Sequence, residues 1–434
     1  MRVKLLCGLC LFSAVLAAQS RPAGSSGEKL AFLIPNLYGP NGLNLPNPEH
    51  DAHFDSAFQT NFGPFNSAIA TQLTSLPLPS PASGFTFAID PSLGVPTRTA
   101  QSFGPIFAER AETIGKGKFV AGFNSQYFRF DELDGRNMRN LPSVFQHIQT
   151  TPDPVVRQDV IATDNFLDIQ IDQHTLFFTY GLSDRVDLSV AAPFVSARLD
   201  AISQASIERI GTSTRPDAAN IHYFVDENGN RTTHRRFTAG GTASGIGDLT
   251  LRLKATAVQT RPVWIASGAD FRMPTGDEYD FLGSGAYGVK PFLVLSGRGK
   301  TISPHINLAY QWNGESALAG DLRSGIKRRL PNYFSYAAGF DSGFSNKFTF
   351  AFDVLGQYFQ KSEHVVQTTF TGANGRTFPQ ISFVNKSASI VNSAAGIKVN
   401  PIGTLLISFN LLVQMNEAGL RGRVTPLLGL SYTM

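Results

Sequence analysis

The chain has 434 residues, a formal net charge of +4 and two cysteines, Cys7 and Cys10. So small a surplus of charge excludes nucleic-acid binding as the organising feature. No internal apolar run approaches the ~18 residues of a membrane-crossing helix, which leaves a β-barrel open, because half of each barrel strand is polar.

Residues 1–20 have the form of a secretory signal: Arg2 and Lys4, an apolar run over 5–16, then small residues, with cleavage after Ala17 or near Ser20. Both cysteines lie inside it, and neither follows the small residue of a lipoprotein signal. The mature chain is then expected to carry no thiol, disulfide or cysteine ligand. Residues 21–112 are rich in Pro, Gly, Asn and Ser, with poor periodicity. Phe54, Phe58, Phe62, Phe65, Leu76, Leu78, Phe85 and Phe87 favour packing over a free linker. The expectation is an irregular luminal plug or periplasmic cap with a short helix over 65–73.

From residue 113 to 434 the pattern is period 2, the mark of half-buried strands. It is clearest over 245–312, where Leu249, Leu251 and Leu253 alternate with Thr250, Arg252 and Lys254. The pattern predicts strands over 117–130, 166–181, 186–199, 246–258, 262–274, 286–298, 301–313, 332–341, 346–360, 385–399, 402–415 and 422–433. The connections at 182–185, 259–261, 299–300, 342–345 and 400–401 are short. Those at 131–165, 200–245, 275–285, 314–331, 361–384 and 416–421 are longer. An even count of about 12 strands whose loops alternate short and long predicts a transmembrane antiparallel barrel, with tight turns at the periplasmic rim.

A midplane charge facing lipid costs roughly 2–4 kcal/mol, and a one-residue slip flips every side chain. Charges should therefore fix the register. The expected lumen-lining set is Asp168, Asp172, His174, Phe178, Tyr180, Asp187, Asp248, Arg252, Lys254, Asp270, Arg272, Lys290, Phe292, His305, Lys347, Asp353 and Lys398. Ile169, Ile171 and Phe177 are expected outward, with Val186, Leu188, Val190, Phe334, Phe350, Leu411 and Leu428. Tyr180, Trp264, Tyr287, Trp312, Tyr333, Tyr358 and Tyr432 stand near strand ends and suit interfacial girdles. Asp248 with Arg272, and Asp270 with Arg252, could pair across neighbouring strands; the mixed signs argue against a strongly charge-selective pore.

The stretches 181–187, 245–254 and 272–296 resemble a family of outer-membrane transporters associated with the meta-pathway of phenol degradation. Shared are a Gly-Leu-Ser-Asp-Arg turn before an Asp-containing strand, a Gly-Ile-Gly-Asp opening at Gly245, and Pro274-Thr275-Gly276-Asp277. The resemblance covers about 115–434 and extends distantly to fatty-acid and aromatic-hydrocarbon channels. It implies an outer-membrane channel for passive uptake of small hydrophobic or aromatic compounds, with an inward amino-terminal hatch analogous to 21–110. The partners it implies are outer-membrane lipid, lipopolysaccharide, the solute and the barrel-assembly machinery. A general small-solute porin and a structural or adhesive barrel acting through long outer loops remain alternatives. Barrels of this kind usually end on an aromatic residue, whereas this chain ends Tyr432-Thr433-Met434, so either Tyr432 serves instead or assembly is less efficient.

Other constellations are weaker. Pro274–Asp277 and the turn at 182–185 read as strand ends with turns rather than ligand sites. Asp226-Glu227-Asn228-Gly229-Asn230 resembles the start of a calcium loop, but Phe237 occupies the twelfth place. His50 and His53 with Asp51 could touch a metal, yet the eight histidines lack zinc-site spacing. No nucleophile elbow accompanies His174 or His305, so neither enzyme chemistry nor a cofactor is expected.

Overall fold

The computed structural model describes residues 27–39, 41–48, 51, 54, 63–80, 84, 87–89, 96–98, 102–147, 159–210, 221–260, 262–299, 301–372 and 374–434. The expected signal, His50, His53, Phe58, Phe62 and Phe85 lie outside these residues, as does the side chain of Phe87.

Twelve antiparallel strands form the wall. They are β1 (Phe119–Phe130), β2 (Val160–Ser183), β3 (Val186–Glu208), β4 (Leu249–Gln259), β5 (Val263–Met273) and β6 (Gly288–Gly297), followed by β7 (Ile302–Asn313), β8 (Tyr333–Ser345), β9 (Phe348–Thr371), β10 (Thr377–Val399), β11 (Leu405–Gln414) and β12 (Val424–Thr433). Each strand pairs with the next, and β12 pairs with β1 from Leu427–Gln126 to Thr433–Val120. The sheet is therefore closed and has no edge around its girth. All twelve predicted strands are present. Among the described residues two α-helices precede them, α1 (Leu30–Leu33) and α2 (Gly63–Ser75), the second where residues 65–73 were expected to be helical.

Closure sorts the side chains. Val190, Leu251, Phe271, Val289 and Trp312 are successive cross-strand partners on β3 to β7, one apolar row around the outside. Leu251 and Leu411 keep 38% and 37% of their surface, so neither belongs to the protein interior. Inside, the barrel is layered. Near the short turns, polar and charged side chains meet the segment 102–116. Further up, Leu30, Leu33, Phe65 and Ile69 from the amino-terminal region pack with Phe128, Ile169, Ile171, Val195 and Leu199 of the wall in one buried apolar cluster.

That upper cluster overturns the expected register of β2. Ile169, Ile171 and Phe177 point inward, so Asp168, Asp172, His174, Phe178 and Tyr180 share the outer face. An interior filled by the chain's own leucines is dry, and there the inner face is the one that must be apolar. Trp264 and Tyr333 are corrected likewise. Both point inward, Trp264 beneath the Arg298 guanidinium at 4.6 Å and Tyr333 with its hydroxyl donating to the Thr74 carbonyl at 3.0 Å. Tyr180, Tyr287, Trp312, Tyr358 and Tyr432 are exposed.

Three of the expected loops carry strand structure that joins the sheet of the wall, and a fourth, 314–331, holds a separate hairpin of Glu315–Asp321 with Ile326–Arg329. β9 and β10 run as one ladder up to the Thr371–Thr377 pair, so 361–384 is an extended hairpin. Within 200–245, β3 continues to Glu208 and His234–Ile246 returns along it. Leu141–Gln146 pairs with the upper end of β2. Continued ladders order these stretches, and Leu141 and Phe145 add buried apolar contacts to the upper cluster.

Asp134 ties the 131–140 connection to β9. It sits at φ 49° and accepts from the His364 ring at 2.5 Å and from the N–H groups of Val365 and Gly419 at 2.7 and 2.8 Å. Burial pushes its carboxyl up, but these donors outweigh burial and hold it below the ordinary value. A depressed folded value means the contribution is complete above the unfolded pKa of about 3.9 and is lost as pH falls through the folded value. Asp134→Asn should therefore lower hydrogen-exchange protection of 131–140 roughly tenfold at neutral pH. Acidification should then affect the wild type more than the variant; equal loss in both would refute this role.

Candidate functional site

The interior is organised around residues 102–116, which have no regular secondary structure and are mostly buried. Their backbone groups find partners on the wall. The N–H groups of Phe103, Glu109, Ala111 and Ile114 donate to Thr349, Asn307, Ser296 and Asp187. Asn307 also returns its amide to the Glu109 carbonyl at 3.0 Å. Lys254 donates to the carbonyls of Arg110 and Glu112 at 3.2 and 2.8 Å, and Thr256 to that of Ala111 at 2.5 Å. Across the lumen, Lys398 donates to the carbonyls of Phe103 and Pro105 at 3.2 and 2.5 Å. Six strands, β3, β4, β6, β7, β9 and β10, thus bind one strap.

Two charge clusters flank it. Arg252 makes a two-point pair with Asp270, Nε to Oδ1 at 2.6 Å and Nη2 to Oδ2 at 2.8 Å, and its remaining nitrogen reaches Glu109 of the strap. Lys290 joins Asp270 at 3.1 Å. Opposite, Arg110 of the strap pairs with Asp341 and Ser102, while His305 lies 2.6 Å from Asp353 and 3.6 Å from Asp341. A buried ion pair that loses one partner leaves an uncompensated charge, at a cost of roughly 3–5 kcal/mol. These charges are therefore committed to the wall and the strap first.

Of the expected lumen residues, Asp187, Asp248, Arg252, Lys254, Asp270, Arg272, Lys290, Phe292, His305, Asp353 and Lys398 face inward. The two anticipated cross-strand pairs form, tightly for Arg252–Asp270 and at 3.7 Å for Arg272–Asp248. Asp248 mainly accepts from Gly276 N–H, Ser284 N–H and Ser284 hydroxyl, pinning the 274–286 connection. Asp168, Asp172, His174, Phe178 and Tyr180 are outside, for the reason given above. Lys347 is exposed in the tight turn between β8 and β9, where a cation meets water.

Glu109, Arg110, Asn307 and Asp341 escaped the sequence reading. Asp341 shares its phase with Tyr333 and Ala337 in β8, so strand alternation alone could have found it. Glu109-Arg110-Ala111-Glu112 is a charged run in a charge-poor region, but nothing local says where it docks. The turn reading of Pro274–Asp277 stands with an addition: Asp277 and Asp280 both bind Lys29 at 2.6 Å, anchoring α1. The Asp226 carboxylate accepts from the N–H groups of Asn228 and Asn230 and closes its own turn.

Among the described residues, a cavity of ≈ 210 Å³ lies at mid-height between the strap, the end of α2 and β4 to β9. Leu73, Leu76, Phe107 and Phe292 form apolar parts of its lining, and Arg272, Lys290 and Gln311 polar parts.

No family model matches the chain, and no curated protein does. Solved structures match at low identity. An outer-membrane channel from Pseudomonas putida F1 is 13% identical, with 75% of this chain and 99% of that chain covered and a TM-score of 0.44. The NanC porin is 9% identical, over 72% and 98%, with a TM-score of 0.36. A Pseudomonas aeruginosa FadL homologue is 10% identical, over 81% and 95%, with a TM-score of 0.30. Likenesses this slight define neither family nor solute, and the functional reading rests on the barrel's own geometry.

Lys254 offers a direct test of the strap. Lys254→Met removes the donor for two buried carbonyls and the cation that faces Asp187, and leaves Glu109 to Arg252 alone, a loss of roughly 3–5 kcal/mol. A lone thiol introduced by Ala111→Cys, scarcely reactive in the parent, should label much faster when Lys254→Met is added. Unchanged labelling would mean that the strap does not depend on this lysine.

Proposed function

We propose that the protein is an outer-membrane channel admitting small hydrophobic or aromatic solutes by passive diffusion. The supporting observation is a closed wall, apolar outside, around a mid-height cavity lined by both apolar and hydrogen-bonding side chains. Apolar rows on an outer surface are stable against lipid, and a closed barrel leaves no unpaired strand edge there. The alternation of tight and long connections orients the barrel, with the turn at 182–185 on the periplasmic side. Insertion by the barrel-assembly machinery after export belongs to the same proposal.

Size narrows the solute. An engineered apolar cavity of about 150 Å³ accepts benzene, so ≈ 210 Å³ has room for a single substituted ring. A strap bound by six strands counts against the alternative of a wide, general porin, because it crosses the interior where water would have to flow. The resemblance to phenol-degradation transporters agrees with a one-ring solute.

Purified protein in liposomes should raise entry of a monoaromatic such as toluene or phenol several-fold, leave a disaccharide excluded, and conduct ions poorly in planar bilayers. Disaccharide entry with large steady conductance would favour the general porin. No gain for any solute would sink the channel reading.

A further inference from the structure

The reversed face of β2 leaves a cluster of charge on the outer wall that the lumen does not use. Arg129 of β1, Gln170 of β2 and Arg198 of β3 are successive cross-strand partners, a row about 10 Å long at the usual strand spacing. Arg129 pairs with Asp168 at 3.0 Å and Arg198 with Asp200 at 2.7 Å. Gln170 bridges the row, donating to Asp168 at 3.1 Å and accepting from the Tyr127 hydroxyl at 3.3 Å. Asp172 lies on the same face, beside Tyr127.

Exposure decides which sign the surface presents. The arginine side chains are 46% and 56% exposed, but their carboxylate partners only 17% and 37%. The carboxylates thus lie beneath and orient the two guanidinium forks, each with further N–H donors turned outward. Just below the row, towards the tight turns, the outer face becomes apolar and aromatic. His174 stacks on Phe123 at 5.9 Å, with Phe178 and Tyr180 exposed further down.

We propose that Arg129 and Arg198 bind the phosphates of a phosphorylated glycolipid of the outer leaflet, whose acyl chains lie on the aromatic column beneath. Two features favour this occupant: the row is continuous with the apolar belt, and two paired forks match a headgroup with two phosphates. The site rests on the outer-membrane reading and extends it to a lipid partner.

The test uses the mature protein in mild detergent, with native mass spectrometry after addition of bis-phosphorylated lipid A, monophosphoryl lipid A or phosphatidylglycerol. The wild type should retain bis-phosphorylated lipid A in preference to both others. Arg129→Gln/Arg198→Gln should lose at least about tenfold in retention, since two charge-assisted hydrogen-bonding groups disappear. Arg129→Lys/Arg198→Lys, which keeps charge without the fork, should fall between. Arg235→Gln/Arg236→Gln, altering exposed arginines off the row, should bind as the wild type does. Heat-modifiable migration on gels confirms that each variant is folded. Equal retention by wild type and the glutamine variant, or equal retention of phosphatidylglycerol, overturns the proposal. Solute entry into liposomes separates the two readings: entry without lipid retention overturns this inference alone, and no entry with retention intact overturns the channel.

Discussion

Fifteen residues without helix or strand cross the interior of this barrel, and every polar backbone group they bring must find a partner away from bulk water. A buried amide left unpaired costs about 1–3 kcal/mol, so a strap of this length could not stay inside an apolar tube. The wall answers with side chains. Lys254 and Lys398 each cap two strap carbonyls from opposite sides, and Asn307 closes both polar groups of Glu109. Asp187, Ser296 and Thr349 accept from the N–H groups of Ile114, Ala111 and Phe103. The polar inner face of the lower barrel follows from this requirement as much as from any need to pass solutes.

The same constraint explains the upper barrel by contrast. There the amino-terminal region enters with leucines and phenylalanines, and the wall turns apolar side chains to meet them. The interior is thus polar or greasy according to what the chain itself inserts. The cavity lies near the boundary, with Phe292 and Leu76 beside Arg272 and Lys290. That mixed lining is what the proposed solute, an apolar ring carrying a polar group, would require.

On β2 the charges move outward, and the consequence is mechanical as well as chemical. Asp168 and Asp200 hold arginines on the outer surface, where the wall passes from an apolar belt to hydrogen-bonded hairpins rising above it. The β2–β3 and β9–β10 hairpins stay ordered beyond the belt because their ladders continue, with 141–146 and 234–246 added alongside.

The sequence by itself determined the barrel. Alternation in β4 to β12, an even strand count and the short-and-long rhythm of connections are local features, and each survives folding because closure requires it. Asp187, Arg252, Lys254, Asp270, His305 and Lys398 stand on the strand face that local alternation assigns them, with Arg252 and Asp270 paired across neighbouring strands. Only the tertiary structure decided what fills the interior. Ile169, Ile171 and Asp168 alternate equally well with either face inward, and the choice was made by Leu30, Leu33 and Phe65 packing from more than ninety residues away. The strap was invisible for the same reason: Glu109 and Arg110 have no periodic signal of their own, and their partners Arg252 and Asp341 meet them only once the barrel has closed.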